Sequence, residues 1–269
     1  MALRLSTGLR NFLNETGSLK RALSGGKLLL YTGTQPATAD DAVSGTLLCT
    51  YTLSSGAHTP EVLPTGGFTI SACTAADTIT AVTLTPTGLA TPIALLDATV
   101  TLTDTDDTIS AVQLVAAINN NPGNIYVTAS NVAGVITLTG LPGIGTLMNT
   151  WVPGATGSGV TVGTVVNIGS GVAGVTAVNG LRFGDSAAGV LVKDPSQTWS
   201  GLAGNTGTAG WFRFVGSVVD AGAADAAELY KRLDGNVATS GANLNLSSTT
   251  ITSGATQTIL TFSLTEPAA

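Results

Sequence analysis

From residue 28 to residue 181 the chain has no lysine and no arginine, and five of its ten basic residues fall within the first 27. Phosphate recognition needs clustered Lys and Arg, so this gap, with a net charge of −6 and a pI near 4.5, argues against specific nucleic-acid binding. A single histidine, His58, excludes any metal site built on a His pair and leaves a catalytic triad one candidate base. The two cysteines, Cys49 and Cys73, allow at most one bridge and have no zinc spacing. Both lie in strand-like runs and are expected as reduced, buried thiols. Aromatic residues make up only 5% of the chain, too few for the girdles of an outer-membrane barrel. No apolar run of about 18 residues exists, so no membrane insertion is expected, although the mean hydropathy is +0.39. The basic start is not followed by the continuous apolar stretch of an export signal. Charged residues are 10% of the chain, against roughly 25% in an average soluble protein. Such a surface is a solubility liability for a monomer and reasonable where copies or partners cover it, so a homo-oligomer is expected.

What is present is Ala, Val, Leu and Ile diluted by Thr, Ser and Gly, the composition of a mainly β fold with many turns. Ser6 or Thr7 is placed to cap a short helix on which Leu9, Phe12 and Leu13 share one face. Residues 1–26 are therefore expected to form a helical N-terminal arm. Leu9, Phe12 and Leu13 are its expected assembly contacts, docking on the chain's own domain or on a neighbouring subunit. Strands are expected over 27–31 and 45–53. The texture then changes, and residues 68–177 contain no Lys, Arg or Glu. Strands over 78–84 and 98–103 lead to a helix capped by Asp106 or Asp107 and stopped by Asn119-Asn120-Asn121-Pro122-Gly123. A hairpin over 125–129 and 135–139 follows, while the glycine-rich stretch 154–159 is expected to be loop. From about residue 178 the earlier style resumes, with strands expected at 211–215, 229–233 and 256–264. The resulting expectation is a discontinuous β-sandwich or jelly-roll-like domain, residues 27–65 and 178–269. A small β-rich α/β domain, residues 66–177 with one helix near 107–120, is inserted into it at a loop.

Catalytic constellations are not expected, and neither are cofactor or metal sites. His58 sits in a polar loop without a nucleophile elbow. Asp104-Thr105-Asp106-Asp107 is the one dense carboxylate run. A calcium loop starting at Asp104 would need Gly and a carboxylate where Ile109 and Val115 stand, so helix capping is the expected role. The adjacent Asp40-Asp41 has no partner acid at a defined spacing. Gly154 to Gly159 lacks the Lys and the strand-to-helix context of a phosphate loop. Trp199 and Trp211 are expected in the core, with sugar stacking as the other use of such side chains.

Two stretches carry a resemblance. Leu3-Arg4-Leu5-Ser6-Thr7-Gly8-Leu9-Arg10-Asn11 and Leu29 to Asp40 resemble the N-terminus of virion structural proteins of tailed bacteriophages. The pattern continues in Gly207 to Phe214, Arg232-Leu233-Asp234-Gly235 and Ala242 to Ala255. Residues 98–139, with the helix end Ala116-Ala117-Ile118-Asn119, are similar to a small α/β module that recurs in phage tail and surface proteins. The resemblance implies a virion location for a non-enzymatic structural component in capsid decoration, the neck or collar, or the tail. Its implied partners are other phage virion proteins and further copies of itself. The alternative expectation is a receptor- or carbohydrate-binding module on the virion surface.

Overall fold

The computed structural model describes residues 3–15 and 17–265, so residues 1–2, 16 and 266–269 of the expected segments lie outside the described residues. The chain begins with β1 (Arg4–Leu5), α1 (Thr7–Glu15), α2 (Leu19–Leu23), β2 (Lys27–Thr32) and β3 (Leu47–Leu53). Its middle holds β4 (Thr65–Ser71), β5 (Thr78–Thr85), β6 (Ile93–Ala94), β7 (Val100–Thr101), α3 (Asp107–Asn120), β8 (Val127–Val132), β9 (Val135–Gly140), β10 (Val152–Ser158) and β11 (Thr161–Val166). The last part adds β12 (Val190–Val192), β13 (Trp199–Leu202), β14 (Gly207–Val215) and β15 (Arg232–Ala238). It ends with β16 (Leu244–Asn245), β17 (Thr250–Ile251), β18 (Thr256–Ile259) and β19 (Ser263–Thr265). The fold is mainly β. Contacts divide it into a discontinuous unit, Met1–Glu61 with Ala177–Ala269, and a middle unit, Val62–Thr176.

The discontinuous unit is built on one sheet in the order β1-β15-β14-β2-β3-β13-β18, with β16 beside β15 and β17 beside β14. All its pairings are antiparallel except β15 with β16. β14 lies inside the sheet, between β15 and β2, and is buried on both sides, which explains its run Trp211-Phe212-Arg213-Phe214-Val215. Phe212 and Phe214 enter an aromatic cluster with Phe183, Trp199 and Phe262, ring centroids 5.4–6.3 Å apart. Trp211 and Val215 face the opposite side, where Trp211 stacks on Tyr31 at 4.6 Å beside Leu29.

The N-terminal segment is part of this unit. Ser6, fully buried, accepts a hydrogen bond from the Leu9 amide, capping α1, and another from the Arg232 amide, while its hydroxyl donates to the Tyr230 carbonyl. Leu9 and Phe12 are 0% and 5% exposed inside the unit, and Leu13 is half-buried. Gly8 lies so close to the Glu228 carbonyl that an added Cβ would stand 2.3 Å from its oxygen. The helix is thus pressed onto the chain that leads into β15.

In the middle unit two sheets, β10-β5-β6 with β7 and β11-β4-β9-β8, share one core with α3. Leu114 and Ile118 of α3 meet Phe68, Ile70, Ile136 and Leu138 there. Residues 154–159 are mostly strand, not loop. β10 pairs along β5, and the backbones approach so closely that a Cβ on Gly157 would lie 2.5 Å from the Thr78 carbonyl oxygen. Gly157, which reads as loop, is the glycine the pairing requires. Other expected strands change: 229–233 becomes Arg232–Ala238, 98–103 contracts to Val100–Thr101, 125–129 moves to Val127–Val132, and 256–264 breaks into Thr256–Ile259 and Ser263–Thr265.

Replacing Leu9 by Ala should destabilise the discontinuous unit by about 2–5 kcal/mol, and Leu13→Ala by far less. Chemical denaturation of the two variants reads the difference.

Candidate functional site

The polar residues that the fold draws together most tightly lie on the Trp211 face of the central sheet. Register places Asp234 of β15 directly between Arg4 of β1 and Arg213 of β14. Arg213 grips Asp234 through Nε and Nη2, both at 2.7 Å, and both side chains are 0% exposed. Two positions along β15, Arg232 grips Asp220 in the same forked manner, again with both bonds at 2.7 Å. Planar guanidinium and carboxylate match in this geometry, which makes such pairs the strong form of ionic hydrogen bond. Further donors are used as well. Arg213 Nη1 donates to the Asp41 carbonyl at 3.0 Å, and Arg232 Nη2 donates to the Ala223 carbonyl at 2.8 Å. Arg213 also lies over the Trp211 ring at 5.5 Å, and Arg232 over Tyr230 at 4.8 Å. Burial pushes the Asp234 carboxyl up, with the Arg213 guanidinium pulling it the other way.

The loop between β2 and β3 covers this layer and explains Asp40-Asp41. The Asp40 carboxylate accepts the Thr7 amide at 2.9 Å and the Thr7 hydroxyl at 2.7 Å at the start of α1. Asp41 accepts the Thr38 amide at 2.7 Å and closes the turn. Arg4 donates to the Pro36 carbonyl of the same loop. These carboxylates hold backbone in place, and the constellation as a whole ties β1, β14, β15 and the covering loop together.

The other sequence candidates are placed as follows. His58 Nε2 lies 2.9 Å from the Gly25 carbonyl, an acceptor, so Nε2 carries the proton; Nδ1 is buried without a hydrogen-bond partner. Burial holds the imidazole below its usual range, with Lys27 adding to the effect. Asp106 caps α3 by accepting the Thr108 amide at 2.7 Å, and Asp104 accepts the Asp106 amide at 2.9 Å. Asp107 reaches across the unit to the Cys73 amide at 3.0 Å, which holds its carboxyl low. Among the described residues no group of three or more His, Cys, Asp and Glu side chains is arranged to hold a metal ion. Cys49 and Cys73 are both free and buried, and burial pushes their thiols up to about 12 and about 11. Neither is a thiolate near neutral pH. Trp151, Trp199 and Trp211 are 7%, 0% and 0% exposed, so none offers a face for a sugar. Leu9 and Phe12 are occupied within their own unit, leaving Leu13 as the partly exposed member of the expected contact set.

The forked ion pairs were missed in the sequence. Their one signal was a charged residue inside two strand-like runs, Arg213 among aromatics and Asp234 beside Leu233. The helix end Ala116-Ala117-Ile118-Asn119 also gains a physical role. The Asn119 side-chain amide donates to the Ala129 carbonyl at 2.9 Å and accepts the Ala129 amide at 2.7 Å, pairing with edge strand β8 as a neighbouring strand would.

Asp234→Asn should leave Arg213 buried without a counter-charge and destabilise the discontinuous unit by about 3–5 kcal/mol, whereas an apolar replacement of both partners should lose much less. Denaturant titration of the single and double variants checks this. Because the folded His58 pKa lies below the unfolded value, its contribution is fully present above about pH 6.5. It is lost as pH falls from there through the folded pKa. Stability measured across this window should fall with acid in the native chain, and His58→Gln should flatten that slope.

Comparison with known proteins finds no matching family model, no matching curated protein and no matching solved structure.

Proposed function

We propose that this chain is a non-enzymatic structural component of a tailed-phage virion, in capsid decoration, the neck or collar, or the tail. It acts through self-assembly and contact with other virion proteins. The observation that carries the reading concerns the stretches that resemble phage structural proteins. They are scattered over more than 240 positions, from Leu3 to Ala255, yet they fold side by side as β1-β15-β14-β2 with β16 and β17. They also supply Arg213, Asp234 and Arg232 of the buried charge layer. The resemblance therefore follows one folded element with its own internal logic, as expected of a shared scaffold. The low surface charge and the many exposed Val and Leu side chains, among them Val132, Leu202 and Leu260, suit a protein whose surface is covered in use.

The test is localisation. Purified tailed-phage particles that encode this chain should contain it in many copies, as read by quantitative mass spectrometry and by labelling in electron micrographs. Recovery only from the soluble fraction of infected cells, with none in the particles, would overturn the reading. A deletion of residues 1–26 is a poor probe, because it strips Ser6, Leu9 and Phe12 from the fold. Leu13→Glu, at the half-buried position of the arm, tests the arm as a contact and leaves Ser6, Leu9 and Phe12 in place.

A further inference from the structure

Strand alternation gives β4, β8 and β9 of the middle unit one face in the core and one face outward. Phe68, Ile136 and Ala129 point inward. The outward positions on these three strands are Thr, Ser, Val or Gly. Register aligns Gly67, Thr137 and Ser130 in one row and Thr69, Val135 and Val132 in the next. The face carries no charge, although a solvated protein surface is normally about 25–35% charged. It has relief as well. A Cβ on Gly67 would stand 1.9 Å from the Ile136 carbonyl oxygen, so no side chain fills that position. An open dent of about 200 Å³ lies over it. Beside the dent stands a ridge, Val132 and Val135, 78% and 45% exposed.

We infer that this face pairs with the same face of a second copy of the chain. A charge-free surface cannot compensate a charge brought against it, and each partner charge buried there would lose its hydration for nothing. The surface that fits is therefore itself charge-free and β-branched, and the chain presents one. A ridge and a dent on the same face are what a two-fold axis needs, since each copy's valines enter the other's dent. With β11, whose Thr164 and Val166 line the same dent, four strands at about 4.8 Å and roughly three outward rows give on the order of 400 Å² per copy. That is half of the ~800 Å² per partner of a standard complex, so the pairing belongs to a crowded assembly more than to a dilute dimer. The inference rests on the self-assembly reading above and names the surface that performs it.

Sedimentation equilibrium of the full chain, at concentrations rising to about 1 mM, tests the pairing. Association should appear and should hold or strengthen with added salt, because Val62–Thr176 contains five Asp and no Lys or Arg in each copy. Thr137→Arg and the solvent-exposed Val132→Lys should each weaken it at least about tenfold, since each buries an unpaired charge. Val112→Lys, on the exposed side of α3, should leave it unchanged, and thermal unfolding confirms that each variant is folded. A chain monomeric throughout, an association that salt dissolves, or one indifferent to Val132→Lys overturns the inference. Virion localisation would still stand in that case, so the two readings fail separately.

Discussion

The discontinuous unit depends on two arginine–carboxylate forks, one between strands β14 and β15 and one from β15 to Asp220 in the loop between those two strands. Two guanidinium groups and two carboxylates lie essentially without exposure, Arg213 with Asp234 and Arg232 with Asp220. Taking such charges from water is costly, and the forks offset that loss only while each partner faces the other. A one-residue slip of β15 against β14 would send Asp234 to the aromatic side of the sheet, against Phe212 and Phe214. The pair therefore specifies register more than it adds stability. Hydrophobic alternation alone would leave that register weakly defined, because β14 is buried on both faces.

The same layer explains why distant segments belong to one unit. The covering loop from Pro36 to Val43 provides carbonyl acceptors for the arginines, and Asp40 holds the start of α1. Ser6 binds the helix cap and the entry to β15 with one hydroxyl. All of these contacts except the Ser6–Leu9 cap join residues separated by more than 30 positions, so the unit is held by non-local closure. Several of its buried polar side chains, among them Ser6, Thr52, Gln197 and Asp225, are bonded to backbone, which suits a scaffold whose task is shape.

The middle unit is organised differently. It has no cation, so its carboxylates are held by backbone amides: Asp104, Asp106 and Asp107 each accept one. Its sheet edge at β8 is closed by the Asn119 amide, a neutral group used as a substitute strand. With no ion pair available inside it, the unit is neutral over its outward sheet face and negative at its loops. Face-to-face pairing through that neutral sheet is the contact such a distribution favours.

Much of this was legible in the sequence. The mainly β character, α3 between Asp106 and Asn120, the hairpin of β8 and β9, and the buried tryptophans follow from short-range rules of capping, alternation and side-chain size. The composition shift near residue 66 likewise stands within a few positions of the contact division at Val62. What sequence could not give was anything fixed by a partner strand far along the chain. Gly154 to Gly159 looks like loop because glycine weakens a strand, and only the closeness of β5 makes glycine necessary at Gly157. Arg213 and Asp234 are ordinary charges until the register sets them face to face. Local propensity travels with the residue, whereas pairing, burial and the neutralisation of charge belong to the surroundings that the tertiary fold supplies.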